Sequence, residues 1–498
     1  VSDLPLRRSA AQGFIWNVLG AVFRSLSGFA VNVILSRLLG PAPFGTMAVV
    51  LTLLSFSTLV LDSGLSVGLI QRQELTDEDI DGIQGFQLLV GVLLAAAVWL
   101  LAYPLAAWFG QPELLSIAPY IALMIVVTAL SQVPQALLRR RLDFRALQQA
   151  QMWSYLIGYV GVGLLLAFQG AGLWSLIAAQ LVQLVVNLGW TLSRVRQPFR
   201  PRLRGDRALL TFGARVLGTN LINWLTLNAD TFAIGSQFGK ARLGVYNRMN
   251  FLLGTPLGIL TSSLQSVLVS TVSRVQAEPS KVKDAYLAVV ELVAWVALPL
   301  FLSLAFVGAT LVEGVYGPLW LSGHPLVPPI CIVMAVASLG MLPGPVMTGL
   351  GRVDIELKNT ALNLCLSLPL IGWAALNSVT LVAWAVALSR LSFCLLLNRA
   401  LGLRLGIGLG EYFGRIVRPL GLALVLGGTM RLLDTGLLGA GIIPAWRLLT
   451  LGLVGAAVYA ALFLHFPEQI LGARAQALLA ELGPYRRIRQ LFRRSTHA

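Results

Sequence analysis

The stretch RVLGTNLINWLTLNAD, residues 215 to 230, is apolar enough to cross a bilayer, yet it carries Arg215, Thr219, Asn223, Thr226 and Asp230. Successive steps of 4, 4, 3 and 4 residues put all five on one face of a helix. A charged side chain at membrane depth is expensive, so a face holding both an arginine and an aspartate has to look into a bundle interior or a water-filled cavity. The segment therefore predicts a membrane-embedded helix bundle with a polar interior, and it marks a first place to seek a substrate.

The rest of the chain agrees with that expectation. With 498 residues, 57% of them hydrophobic and 12% charged, and a mean hydropathy of +0.79, the composition is that of an all-α polytopic membrane protein. Apolar runs of about twenty residues favour helices over the ten-residue alternation of barrel strands. The first apolar run is too long for a cleavable leader and is followed by further spans, so no signal peptide is expected. Cys331, Cys365 and Cys394 lie in apolar runs without CxxC spacing and read as core filler, and His324, His465 and His497 are too scattered to hold zinc. No metal and no cofactor is expected. The net charge of +16 would suit nucleic acid in a soluble protein. Here the arginines cluster at 139–145, 194–207 and 486–494, in loops and tail, which instead fits the positive-inside bias and contact with anionic membrane lipids; no nucleic-acid partner is expected.

Fourteen spans are predicted, at 12–38, 44–70, 84–108, 114–137, 149–168, 172–193, 208–235, 243–273, 284–308, 325–349, 356–376, 379–400, 411–432 and 443–465. The acidic segment from Thr76 to Asp81 reads as a short surface helix after the second span. Arginine clusters follow the fourth, sixth and fourteenth spans, so both termini are expected in the cytoplasm. LLGPAPFG (38–45) and FGKARLG (238–244) align at an offset of 199 residues, pairing Gly40 with Gly239, Phe44 with Leu243 and Gly45 with Gly244. That offset carries one six-helix unit onto another in the same orientation, giving two lobes about an axis along the membrane normal. The expected organisation is an N-lobe at 1–193, a basic cytoplasmic linker at 194–207, a C-lobe at 208–400, two extra helices within 401–473 and a basic tail at 474–498.

Asn17, Gly20, Arg24 and Gly28 recur at steps of 3 and 4 in the first span, and the repeat offset pairs Arg24 with Asn223. Periodicity and repeat thus nominate the same two cavity positions. In the eighth span Arg248, Thr255, Ser262, Ser266 and Ser273 share a further face. Hydroxyl residues and glycine are ordinary packing residues in membranes. Ionised groups rarely are, which singles out Arg24, Arg215 and Arg248 as substrate-binding candidates, with Asn17 and Asn223 as hydrogen-bonding partners. Asp230 and Arg215 lie about 22 Å apart along the axis at 1.5 Å per residue, too far to pair, so Asp230 is the candidate for a coupling ion.

ILSRLLGPAPFG (34–45), LDSGLSVGLIQR (61–72), RRRLDFRAL (139–147), NADTFAIGSQFGKARLGVYNR (228–248) and VYGPLWLSG (315–323), in this order, resemble the Wzx-type polysaccharide flippases. These form the polysaccharide transporter branch of the multidrug/oligosaccharidyl-lipid/polysaccharide exporter superfamily, and the colanic-acid WzxC-like group is the most similar in pattern. The resemblance implies a monomeric two-lobe bundle in a bacterial inner membrane. Its implied substrate is an undecaprenyl-diphosphate-linked oligosaccharide repeat unit, moved from the cytoplasmic to the periplasmic leaflet, with a polysaccharide polymerase and export machinery as partners. It also implies that Arg24 contacts the diphosphate. GxxxxGK[ST] is absent, so the chain is expected to be a secondary transporter without its own ATPase, coupled to H⁺ or Na⁺ if to any ion. A lipid II flippase shares the cationic-cavity logic, and a drug or cation antiporter of the same superfamily would require acids to outnumber arginines in the cavity.

Overall fold

A computed structural model describes residues 23, 25–62, 76–195, 207–275, 278–350 and 353–465. Among the described residues there is no strand. Their contacts divide the chain into two units, Val1–Arg248 and Met249–Ala498.

In the first unit, α1 (Ser25–Leu39) ends at Gly40 and α2 (Pro41–Asp62) begins at once. Next come α3 (Asp77–Leu100), α4 (Ala102–Phe109) and α5 (Glu113–Arg140), then α6 (Phe144–Phe168) and α7 (Leu173–Val195). α8 (Arg207–Val275) starts in this unit and runs on into the second. Thr76 caps α3, accepting from the Asp79 backbone N–H while the Asp79 carboxylate accepts from that of Thr76. The acidic segment is thus not a separate surface helix. Asp77, Glu78 and Asp79 form the first turn of α3, where negative charge meets the positive end of the helix dipole. At the Arg139–Arg141 end, Ile80, Ile83, Val133, Leu137, Leu147 and Val195 form one core cluster. There the alternating faces of α3, α5, α6 and α7 meet.

The repeat is visible in the backbone. Gly40 and Gly239 both have positive φ, 70° and 76°, a left-handed conformation that costs glycine nothing and other residues much. Each breaks the chain between two helical arms, and at Gly239 (ψ 176°) the long α8 folds into a first arm and a second. By sequence the lobe boundary falls at 194–207, most of which lies outside the described residues. By contacts it falls after Arg248, because the first arm of α8 and the opening turns of the second pack on α1, α2, α4 and α5.

The second unit holds α9 (Pro279–Phe306), α10 (Gly308–Tyr316) and, after a 3-10 stretch at Pro318–Leu326, α11 (Val327–Gly340) and α12 (Pro343–Gly349). α13 (Val353–Ala375), α14 (Val379–Leu405), α15 (Leu409–Gly439) and α16 (Pro444–His465) complete it. Ion pairs tie the last two helices to the others. The Asp434 carboxylate accepts from Arg447 Nη2 at 2.6 Å and from Thr310 Oγ1 at 2.8 Å, a closed cluster on α10, α15 and α16 in which every charge has a partner. Glu291, which sits near a predicted span end where its head would reach water, is only 5% exposed and accepts from Arg415 at 2.6 Å. Pairing rather than snorkelling relieves its burial. Cys331 and Cys394 are buried as expected and Cys365 is exposed, all three as free thiols.

Ten described helices are long and apolar enough to cross a membrane. The expectation of fourteen adds α1, the two arms of α8 and α13, which correspond to the first, seventh, eighth and eleventh predicted spans.

Candidate functional site

Arg248 lies on the second arm of α8, nine residues beyond the Gly239 break, and is 6% exposed. Its guanidinium is held on three sides. Nη1 donates to Asn32 Oδ1 of α1 at 2.5 Å, Nη2 donates to Asn247 Oδ1 at 3.1 Å, and the ring of Phe44 on α2 lies 4.3 Å from the guanidinium carbon. The Asn32 amide is fixed in turn, Nδ2 donating to the Gly28 carbonyl at 2.8 Å. A planar fork that uses separate nitrogens for two acceptors and its flat face for an aromatic ring is the geometry arginine provides and lysine does not.

Two tyrosines of α6 lie close to this group. From Leu156 to Gly163 the helix widens to the π form, which is rare and concentrates at functional sites. Tyr155 and Tyr159 stack there with ring centroids 5.2 Å apart and planes inclined by 14°. Tyr159 donates to Gln180 Oε1 of α7 at 2.8 Å. The Tyr155 hydroxyl reaches α1, where a methyl group on Gly28 would stand 3.8 Å from it.

Asp230, on the first arm of α8, accepts from the Tyr246 hydroxyl of the second arm at 2.6 Å and from the Thr231 backbone N–H at 2.7 Å. The coupling-ion candidate therefore clasps the two arms of α8 across the Gly239 break. Asn223 is exposed on the first arm, whose other side packs on α2 through Trp224, hydrogen-bonded to Ser55 at 2.9 Å and tilted against Phe56.

Of the sequence-nominated residues, Arg248 and Asp230 are thus found in dense polar surroundings and Asn223 is not. Arg24 and Asn17 lie outside the described residues, and so do the side chains of Arg215, Ser262, Ser266 and Ser273. The residues that sequence reasoning missed are Asn32, Tyr155 and Tyr159. Asn32 had a signal, since it extends the polar stripe of the first span by one more step of 4 beyond Gly28. The tyrosines had none, because their place depends on a π segment that no periodicity announces.

Helices of membrane length that bury an arginine against asparagines, with tyrosines close by, fit a polytopic membrane transporter. The chain belongs to the polysaccharide biosynthesis protein family, whose profile matches residues 34–325. It is 25% identical to the teichuronic acid biosynthesis protein TuaB of Bacillus subtilis (strain 168), over 73% of this chain and 76% of that one. It is 23% identical to the lipopolysaccharide biosynthesis protein WzxC of Escherichia coli (strain K12), over 74% and 75%. Among solved structures it is similar to the lipid II flippase MurJ in an inward closed conformation, with a TM-score of 0.72 over 91% of this chain and 98% of that one, at 11% identity. The all-helical fold and the resemblance carried by the motifs are both borne out.

Proposed function

We propose that this chain is a flippase that carries a polyprenyl-diphosphate-linked oligosaccharide from the cytoplasmic to the periplasmic leaflet of a bacterial inner membrane by alternating access. The observation that carries the reading is the interior cation: Arg248, buried and set among asparagines and tyrosines, in a chain of the polysaccharide biosynthesis family. A lipid diphosphate brings at least two negative charges, prohibitive in hydrocarbon unless matched by cations. In this reading Arg24 and Arg215 meet the diphosphate. Arg248, already engaged by Asn32 and Asn247, orders the cavity wall. Asn17 and Asn223 hydrogen-bond the glycan, and the polyprenyl tail stays in lipid.

An inside-negative potential favours export of two negative charges by ~4.6 kcal/mol per 100 mV, at about 2.3 kcal/mol per charge. Loaded movement is then downhill. Coupling to inward movement of H⁺ or Na⁺ would run through Asp230, acting on the clasp between Asp230 and Tyr246. Anionic lipids at the arginine-rich loops, and a polymerase and export machinery that take the delivered unit, complete the proposed setting.

Arg24→Ala is expected to abolish surface polysaccharide in a strain dependent on this gene, with a normal amount of protein in the membrane. Arg24→Lys should restore only part of it, since a point charge replaces a bidentate fork. Polysaccharide at wild-type level from the alanine variant would remove Arg24 from the site.

A further inference from the structure

Sugar recognition has a recurrent chemistry: an aromatic face covers the C–H side of the ring, and planar amide or guanidinium groups bond its hydroxyls. That set of groups is assembled in the first unit. The stacked pair Tyr155–Tyr159 supplies the aromatic surface on α6, and Asn32 and Asn247 supply amides from α1 and α8. Arg248 locks both amides by their oxygens and is itself buried. The Tyr155 hydroxyl is buried and makes no well-formed hydrogen bond among the described residues. Asn32 is near it, yet that amide is already turned to Gly28 and to Arg248. A buried hydroxyl without a well-formed hydrogen bond is costly, and an incoming hydroxyl would satisfy it.

We infer that Tyr155 and Tyr159, with Asn32 and Asn247, form a subsite for a sugar ring of the transported glycan, distinct from the cations that meet its diphosphate. This rests on the flippase reading above. In it Arg248 is a positioning residue, holding Asn32 and Asn247 by their amide oxygens. The π segment of α6 sets the paired rings where that ring would lie.

The test uses the purified full-length chain in nanodiscs and two probes: undecaprenyl diphosphate without sugar, and the glycolipid fraction extracted from a strain lacking this gene. The wild-type chain should bind both, the glycolipid more tightly. Tyr155→Leu should weaken glycolipid binding about tenfold and leave the sugar-free probe unchanged. Tyr155→Phe, which keeps the ring and the packing, should weaken it less, by the hydroxyl alone. Equal loss of both probes in Tyr155→Phe, or no loss of glycolipid in either variant, would overturn the subsite. So would a wild-type chain that binds the two probes equally. A wild-type chain that binds neither would instead overturn the flippase reading itself.

Discussion

Gly45→Val is expected to abolish polysaccharide export while the protein still reaches the membrane, and Gly244→Val to do the same. A methyl group on Gly45 would fall 1.7 Å from the carbonyl oxygen of Lys240, and one on Gly244 would fall 1.9 Å from that of Pro41. The offset of 199 residues that pairs Gly45 with Gly244 also pairs Pro41 with Lys240. Each glycine thus rests on the repeat partner of the residue that faces the other glycine. Reciprocal contact of this kind is the mark of a two-fold axis, and here it relates two segments of one chain. Both obstacles are backbone atoms that cannot rotate aside, so a side chain costs about 3 kcal/mol or more of strain, the upper end for overpacking. If transport requires these turns to meet and part, the meeting is what valine denies.

Surface polysaccharide in a complemented deletion strain, with membrane protein level measured alongside, gives the answer. Gly189 of α7 has nothing within 4 Å of the same methyl position, so Gly189→Val should export normally. Full export by Gly45→Val would mean that the contact between the two turns is dispensable.

The second large effect is at Arg248. Arg248→Ala removes the hydrogen bonds to Asn32 and Asn247 and the cation over Phe44 together. A hydrogen bond with one charged partner contributes ~1.5–3 kcal/mol, so export should drop at least about tenfold and the detergent melting temperature should fall with it. Arg248→Lys keeps the charge but loses the fork. It is expected to recover the melting temperature in part and the export hardly at all. Export restored fully by lysine would show that charge alone matters there and that orienting the two asparagines does not.

Much of this was legible in the chain itself. Spans follow from apolar length, and the repeat, read from a few glycines, reappears as matched positive φ at Gly40 and Gly239 and as the reciprocal contact at Gly45 and Gly244. Those glycines are informative because each meets a backbone constraint that no side chain would tolerate. Arg248 was legible as a charge in an apolar run, but its partners Asn32 and Phe44 lie more than two hundred residues away. Helical periodicity tells which residues share a face and nothing of which face another helix presents. Asp230 shows the same limit: the distance to Arg215 excluded one partner, and the actual one, Tyr246, required the chain to fold back at Gly239. Asp434 and Arg447 were not singled out at all, since two helices beyond the repeat offer no symmetric partner to compare.

Transbilayer movement of a lipid-linked glycan by this chain alone is open to direct reconstitution. Its most direct test is the purified full-length protein in liposomes carrying the glycolipid fraction of the deletion strain, with glycan exposed on the outer face followed by a non-permeant oxidant. Movement should depend on the protein, speed up when the potential is negative on the donor side, and, in Asp230→Asn, cease to respond to an imposed H⁺ or Na⁺ gradient. Glycolipid that crosses no faster than in protein-free liposomes, at any potential or gradient, would contradict the account.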